Sequence, residues 1–314
     1  MALSGSTSFN LTAIEIVNRA FAKIHVKKAE TPLQDDELQD GIDSLNMMIK
    51  AWGAQGLHLW AKDEGVAFLS AGKSSYNLGA TGDEACQFDD FIGTTLTSER
   101  FITDVALNVG DSTGMAVGDN IGIELDDNTR QWTTIATIVN TFQITITVGL
   151  SLASKAGSSI FTFTNLIQRP NRILSYRRKT FADDNEIPVL SWSRDQYFNQ
   201  VNKLSTGTVV NCYYSPQLGD GRLYVWQTAS SVNDFVRFTF ERPLQDILTG
   251  DDNVDFPSEW LEAVIYNLAF RLADDYTVPP QKVVQVGQKA VQFLDDLLGW
   301  DEEMESLNLQ PDFD

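Results

Sequence analysis

Apolar residues recur every three or four positions near both ends of the chain. Between those ends they alternate with polar residues or gather in short runs. The first spacing is the signature of an amphipathic helix, the second of a half-buried strand. Thr12 and Glu15 stand at capping-box spacing ahead of Ile14, Val17, Phe21 and Ile24, which predicts a helix over 12–24. Thr31, Pro32 and Gln34 repeat that start signal. Leu38, Ile42, Leu45, Ile49 and Trp52 then mark one side of a helix over 33–55, about 30 Å long, closed by Gly53 and Gly56. Near the other end, DFPSEWLEAVIYNLAFRLADDY (Asp255 to Tyr276) opens on a capping acid and a first-turn proline. Leu261, Val264, Ile265, Leu268 and Leu272 form its apolar side, with Asn267 and Arg271 on another, so a helix is expected over 257–276. Pro279-Pro280 begins a last helix, 280–298, with Val284, Val291, Leu294 and Leu298 facing one way.

The middle of the chain has a different rhythm. Val66, Phe68 and Tyr76 around Ala71-Gly72-Lys73 predict a hairpin, and Cys86 to Phe91 reads as a connection. From 94 to 164 five runs (VALNV, NIGIEL, QWTTIATIV, FQITITV and SIFTF) are separated by turn residues such as Gly118-Asp119 and Asn140-Thr141. Short strands at such regular spacing predict a small antiparallel barrel or sandwich. Tyr76–Leu78 before it and Pro170–Ile173 after it are expected to be neighbours in one sheet, which makes 94–164 an insertion. Strands follow at Ile173–Tyr176, Val209–Tyr214, Arg222–Trp226 and Val236–Glu241, with a short helix over Arg194–Lys203. The expected fold class is α+β: a helical bundle from the N- and C-terminal helices, a β-rich core and an inserted small antiparallel β-barrel. The expected core is 1–93 with 165–314, and 306–314 is expected to be a flexible acidic tail that docks on a partner.

Charge sharpens this picture. Forty-three acids against 23 Lys and Arg leave a net charge of −20. A chain so acidic is unsuited to gripping phosphates, although it can border a nucleic acid without holding it. Two cysteines without CxxC spacing, Cys86 and Cys212, argue against a disulfide framework or a thiolate metal site. The N-terminus lacks the basic and apolar blocks of a signal peptide, and no run approaches the length of a membrane span.

Candidate chemistry is sparse. His25 and His58 lack a nucleophile motif. Asp251, Asn253, Asp255 and Glu262 copy part of a calcium loop, but Phe256 stands where the loop needs glycine. The pairs Asp89-Asp90, Asp126-Asp127, Asp183-Asp184 and Asp274-Asp275 read as turn and cap residues rather than the spaced carboxylates of a glycosidase. No catalytic, cofactor-binding or metal-binding residue is assigned. Arg169, Arg172, Arg177, Arg178 and Lys179 form the one basic cluster. They pair either with the chain's own acids or with a neighbouring copy, and with Trp300 they are the candidate contact residues.

Six segments in a shared order resemble head-to-tail adaptors of short-tailed bacteriophages, also called tail accessory, packaged-DNA stabilisation or tail tubular proteins. They are LQDGIDSLNMMIKAWGAQGLHLWA from Leu38, AFLSAGKSSYNLGATGD from Ala67, QRPNRI from Gln168, PVLSWSRDQYFNQVNKLSTGTVVNCYYSPQ from Pro188, GRLYVWQTAS from Gly221 and ERPLQDILTGDDNVDFPSEWLEAVIYNLAFRLADDY from Glu241. The resemblance implies a virion protein made in the host cytoplasm and sited at the tail collar. It implies a ring, typically of twelve copies, between portal and tail nozzle, with tail fibre or tailspike as further candidate partners. Double-stranded DNA would pass through the ring without specific binding, and the ring would help retain the packaged genome. Two other readings stay open: a peptidoglycan-degrading virion hydrolase, and a receptor- or sugar-binding module in the insertion, where Trp132 offers a ring for stacking.

Overall fold

The computed structural model describes residues 9–28, 31–53, 59–183 and 185–300. The predictions that rest on Gly56, His58, Asp184 and 306–314 lie outside them. Two compact units emerge: Met1–Ala61 with Leu244–Asp314, and Lys62–Pro243. Compactness groups the region 94–164 with the large sheet rather than setting it apart. The helices are α1 (Ala13–Lys23), α2 (Asp35–Gly53), α3 (Arg194–Phe198), α4 (Leu261–Leu272) and α5 (Pro280–Trp300).

The first unit is helical. Helix α1 starts as its pattern requires: the Thr12 N–H donates to the Glu15 carboxylate at 3.1 Å. Helix α2 begins later than Thr31-Pro32 suggests. Glu37 accepts the Gln34 N–H at 2.8 Å and pairs with Lys27, so the acidic turn Asp35–Glu37 takes over as the start. The apolar sides of α1, α2, α4 and α5 close on a common core that includes Phe21, Leu45, Met48 and Leu268. Gly41 permits the close approach of α1 and α2, since a Cβ there would meet Val17 Cγ1 at 2.4 Å. Helix α4 is shorter than expected. A 3-10 turn, Ser258–Trp260, precedes it, and it stops at Leu272. Trp52, Trp260 and Phe256 are buried, and Trp60 packs on the last two. These tryptophans fill the core of a single copy.

Helix α5 corrects the expected apolar face. Val286 and Ala290 are buried, and Asn267 on α4 donates to the Ala290 carbonyl at 3.1 Å. Val284 and Val291 are 58% and 60% exposed, while Leu294 and Leu298 are half-buried. The core takes the face that includes Val286, the small Gly287 and Ala290, and leaves two valines, Val284 and Val291, exposed two turns apart. A Cβ at Gly287 would come within 2.8 Å of the Phe270 ring, so the Gly287 face lets α4 lie close.

The second unit holds the strands β1 (Lys62–Phe68), β2 (Ser75–Leu78), β3 (Ala85–Gln87), β4 (Ile92–Thr95), β5 (Ala106–Asn108), β6 (Asn120–Glu124), β7 (Arg130–Asn140), β8 (Gln143–Ile146) and β9 (Ser159–Phe163). They continue as β10 (Arg172–Thr180), β11 (Ile187–Ser191), β12 (Thr206–Gly207), β13 (Asn211–Ser215), β14 (Gly221–Trp226), β15 (Thr228–Ala229) and β16 (Asp234–Glu241). Eight of them form one sheet in the order β2-β14-β13-β11-β10-β16-β1-β3. The predicted hairpin of β1 and β2 does not form: they lie far apart in this order. Val66, Ala67 and Phe68 are all buried, so β1 needs neighbours on both sides and finds them in β16 and β3. The region around Cys86 is therefore a strand, not a connection. Strands β2 and β10 share the sheet as expected but are not neighbours. The helix at Arg194 is one short turn, ending at Phe198.

The region 94–164 folds as a six-stranded antiparallel sheet, β4-β9-β6-β7-β8-β5. Strand β4 is the member its Gly and Thr content hid. The sheet closes on itself: Gly110 N–H donates to Thr95 O and Thr97 N–H to Asn108 O, both at 2.9 Å. Leu107, Ile121, Ile135 and Ile160 fill its inside. Phe161 and Phe163 point the other way and join Val66, Phe68 and Phe235 of the large sheet in a second cluster. Strand β9 is thus covered on both faces, which explains its unbroken apolar run.

Candidate functional site

The groups that suggest chemistry in the sequence take structural roles. His25 is exposed at the turn after α1, with φ 63°. Asp90 accepts the N–H groups of Thr164 and Asn165 at 3.1 and 2.8 Å, and Asp127 accepts that of Thr129 at 3.0 Å. Asp252 holds the Leu248 and Thr249 N–H groups, which keep its carboxyl below the usual range. Its neighbour Asp255 accepts the Gln245 N–H at 3.2 Å. Among the described residues no group of three His, Cys, Asp or Glu side chains is placed to hold a metal. Trp132 is half-buried against Phe68 and Phe163, with ring centres 5.2 and 5.6 Å away.

The basic cluster divides along β10. Register sets Arg177 directly opposite Arg237 on β16, a repulsive pair by itself. Two acids resolve it. Arg177 Nη2 donates to Glu64 at 2.9 Å, Arg237 Nη1 donates to Glu186 at 2.8 Å, and Arg237 also pairs with Glu64. The Arg237 guanidinium lies 3.5 Å from the Phe88 ring centre. Burial pushes the Glu64 carboxyl up, but Arg177 and Arg237 pull it further down, to a net value below the usual range. Arg172 pairs with the buried Glu241 at 2.6 Å, and Arg169 donates to the Gln217 carbonyl at 2.7 Å. Arg178 has no ion pair among the described residues and is half-buried; Lys179 follows it at the end of the strand. The side chain of Trp300 lies outside the described residues. The structure therefore gathers the five basic residues on or beside one strand and gives Arg169, Arg172, Arg177 and Lys179 partners within their own chain.

Two features were not found from sequence. Arg130 is one: it leaves β7 and donates to Gly122 O at 2.9 Å, Ser159 Oγ at 2.7 Å, Val232 O at 3.0 Å and Asn233 Oδ1 at 3.2 Å, with its guanidinium 3.7 Å from the Phe161 ring centre. Asn233 Nδ2 in turn donates to Glu124 at 2.9 Å. Burial lowers the Arg130 pKa to about 9 against the upward pull of Glu124, so it stays cationic at neutral pH. This arginine ties the closed barrel to the loop that enters β16. Only its position beside the Trp132 run hinted at it.

The second is a groove of about 480 Å³ in the helical unit, between α1 and the start of α4. Leu11, Leu261, Ile265 and Tyr266 line it with Arg19 and Lys23. Lys23 and Lys289 lie 4.6 and 5.4 Å from the Tyr266 ring centre. Burial raises the pKa of this phenol, but the two lysines outweigh it and hold it below the usual range. Exposed apolar side chains elsewhere include Val284 and Val291 on α5, and on the barrel a strip of Phe101, Ile102 and Val105 facing Val148 and Leu152. Backbone bonds join the two sides of that strip, Arg100 to Ser154 and Thr103 to Leu150.

A protein-family profile described as "SU10 adaptor protein" matches residues 100–310. The chain belongs to the SU10 adaptor family. The resemblance to phage head-to-tail adaptors is thereby borne out, and the protein is a structural component of a phage particle. The matched span takes in most of the closed barrel and both C-terminal helices, and leaves α1 and α2 outside. One wall of the groove thus lies within the adaptor match and the other precedes it. No curated protein matches the chain. Among solved structures, the complex of VP16 and VP17, the two major capsid proteins of bacteriophage P23-77, is 12% identical, with 57% of this chain and 82% of that one covered at a TM-score of 0.13. VP17 from the same phage is 13% identical over 57% and 80%, also at 0.13. Scores this low carry no weight for the fold.

Proposed function

We propose that this adaptor assembles as a ring between portal and tail nozzle, with DNA passing through its lumen, and that it helps retain the packaged genome. Membership of the adaptor family carries this reading. Three features support it. The α5 helix leaves Val284 and Val291 exposed two turns apart, and a ring needs apolar groups on one face to meet a different face of the next copy. The net charge of −20 suits a wall that DNA slides past. His25, Asp90, Asp127, Asp252 and Asp255 serve turns and caps, and Glu64 is held between Arg177 and Arg237, so these groups give a hydrolase no specific support.

In this reading the four terminal helices are a bundle that packs copy against copy, the region 94–164 is an inserted module, and its apolar strip meets another virion protein. Arg178 contributes to the contact between copies. The test is assembly on purified portal rings, followed by electron microscopy. The wild-type chain should add a symmetric layer. A chain with both Val284→Asp and Val291→Asp should keep its circular dichroism and fail to add one. A wild-type chain that remains a monomer beside portal, or a double variant that still forms the layer, contradicts the proposal.

A further inference from the structure

The groove beside Tyr266 is apolar at its floor and cationic at its edge. Glu262 also lines it, but Arg19 and Lys23, with Lys289 over the Tyr266 ring, outnumber that acid. A net positive groove is unexpected in a chain of charge −20. Its complement is a segment that alternates acids with apolar side chains. The sequence after α5 is such a segment: DEEMESLNLQPDFD, residues 301–314, has no Lys or Arg and carries Met304, Leu307, Leu309 and Phe313 among its acids.

Geometry brings the two within reach. Phe293 on α5 lies 5.1 Å from the Tyr266 ring, so the groove wall is one side chain away from α5. From Phe293 to the end of α5 is about 10 Å at the helical rise. Fourteen residues span up to about 50 Å when extended. A tether this short gives the segment a high effective concentration at its own groove, ahead of any copy arriving from solution.

We propose that residues 301–314 fold back and occupy the groove between α1 and α4 of the same chain in the free subunit. The apolar side chains pack on the exposed Phe9 of the lining, over a floor of buried Leu261, Ile265 and Tyr266, and the acids meet Arg19 and Lys23. This goes beyond the ring reading and stands apart from it: the occupied groove is a property of the monomer.

The test uses Ser258→Cys, a near-isosteric change at the groove lining, in the full chain. Cys86 and Cys212 are buried, so a polar maleimide reports the new thiol. Labelling is expected to be about tenfold slower than in the same chain ended after Trp300, as an intramolecular contact would give. The protection should persist on dilution and weaken in high salt. Arg19→Glu with Lys23→Glu, made in the full chain, should abolish it, which guards against a truncated chain that folds poorly. Equal labelling with and without 301–314 overturns the proposal. So does protection that survives the charge reversal. Protection that fades on dilution also overturns it and assigns the groove to a second copy. None of these outcomes depends on whether the chain adds to a portal.

Discussion

Arg130 and Lys23 both set a cation against an aromatic ring, and they do opposite work. Arg130 is enclosed: its guanidinium lies against Phe161, and its terminal nitrogens donate to carbonyl and side-chain oxygens from several strands. Lys23 lies beside Tyr266 at the edge of an open groove, with apolar side chains in reach of solvent. A buried cation with unpaired donors costs several kcal/mol, and Arg130 places both terminal nitrogens, though not Nε, on acceptors within the chain. A half-buried cation at the mouth of an open groove keeps donors for a further partner. The same pairing of residue types thus sits in a closed joint inside the β unit and at the edge of an open groove in the helical unit.

The contrast breaks most directly at the joint. Arg130→Ala leaves Glu124 without its cation and strands the carbonyls of Gly122 and Val232. It should lower unfolding stability by about 3–5 kcal/mol, measured by denaturant titration. The matching change at the groove, Lys23→Ala, should stay within about 0.5 kcal/mol, because its ammonium remains near solvent. Comparable losses at both sites would erase the distinction.

The second largest effect belongs to the ladder on the large sheet. Glu64→Gln leaves Arg177 and Arg237 facing each other with Glu186 alone between them, at a cost of about 1–3 kcal/mol at neutral pH. Its pH dependence has a definite sign. The folded Glu64 carboxyl lies below its ordinary value of 4.5, so the stability it provides is present above that pH and is lost as pH falls through the folded pKa. Unfolding midpoints measured from pH 7 down to pH 3 should therefore fall less steeply in Glu64→Gln than in the wild type.

Gly41→Ala tests how tightly the helical unit is closed away from its groove. Alanine favours a helix by about 1 kcal/mol over glycine, but its Cβ would lie 2.4 Å from Val17 Cγ1. Overpacking should outweigh propensity and give a net loss of about 1–2 kcal/mol in thermal or denaturant unfolding. A stabilised variant would show that α1 and α2 have slack between them. The smallest effect is expected for Val284→Ser with Val291→Ser: within about 0.5 kcal/mol on the monomer, with the consequence seen only in assembly.

Much of this was legible in the sequence. The helices follow from period and caps, because Ile42, Leu45, Ile49 and Trp52 all enter the core at the spacing that predicts them. The barrel strands follow from alternation and turns. What failed is pairing between segments distant in sequence. Residues 62–78 look like a hairpin because nothing local says that β1 is covered on both faces. The expected α5 face is half right: Leu294 and Leu298 pack on the core, but Val284 and Val291 stay exposed because close packing against α4 uses the positions of Val286, Gly287 and Ala290. The basic cluster was visible but its partners were not: Glu64 and Glu186 are 113 and 9 residues away from Arg177, and only the sheet order brings them together. The groove depends on Phe9, Leu11 and α4 meeting across most of the chain, and no motif announces that.

A reconstruction of the intact particle by electron cryo-microscopy tests the central claim most directly. The account predicts several copies of this chain around a common axis beneath the portal, with the α5 face carrying Val284 and Val291 against the neighbouring copy and a DNA-sized channel between them. A single copy at that vertex, or this chain placed in the capsid shell or at the far tip of the tail, would contradict it.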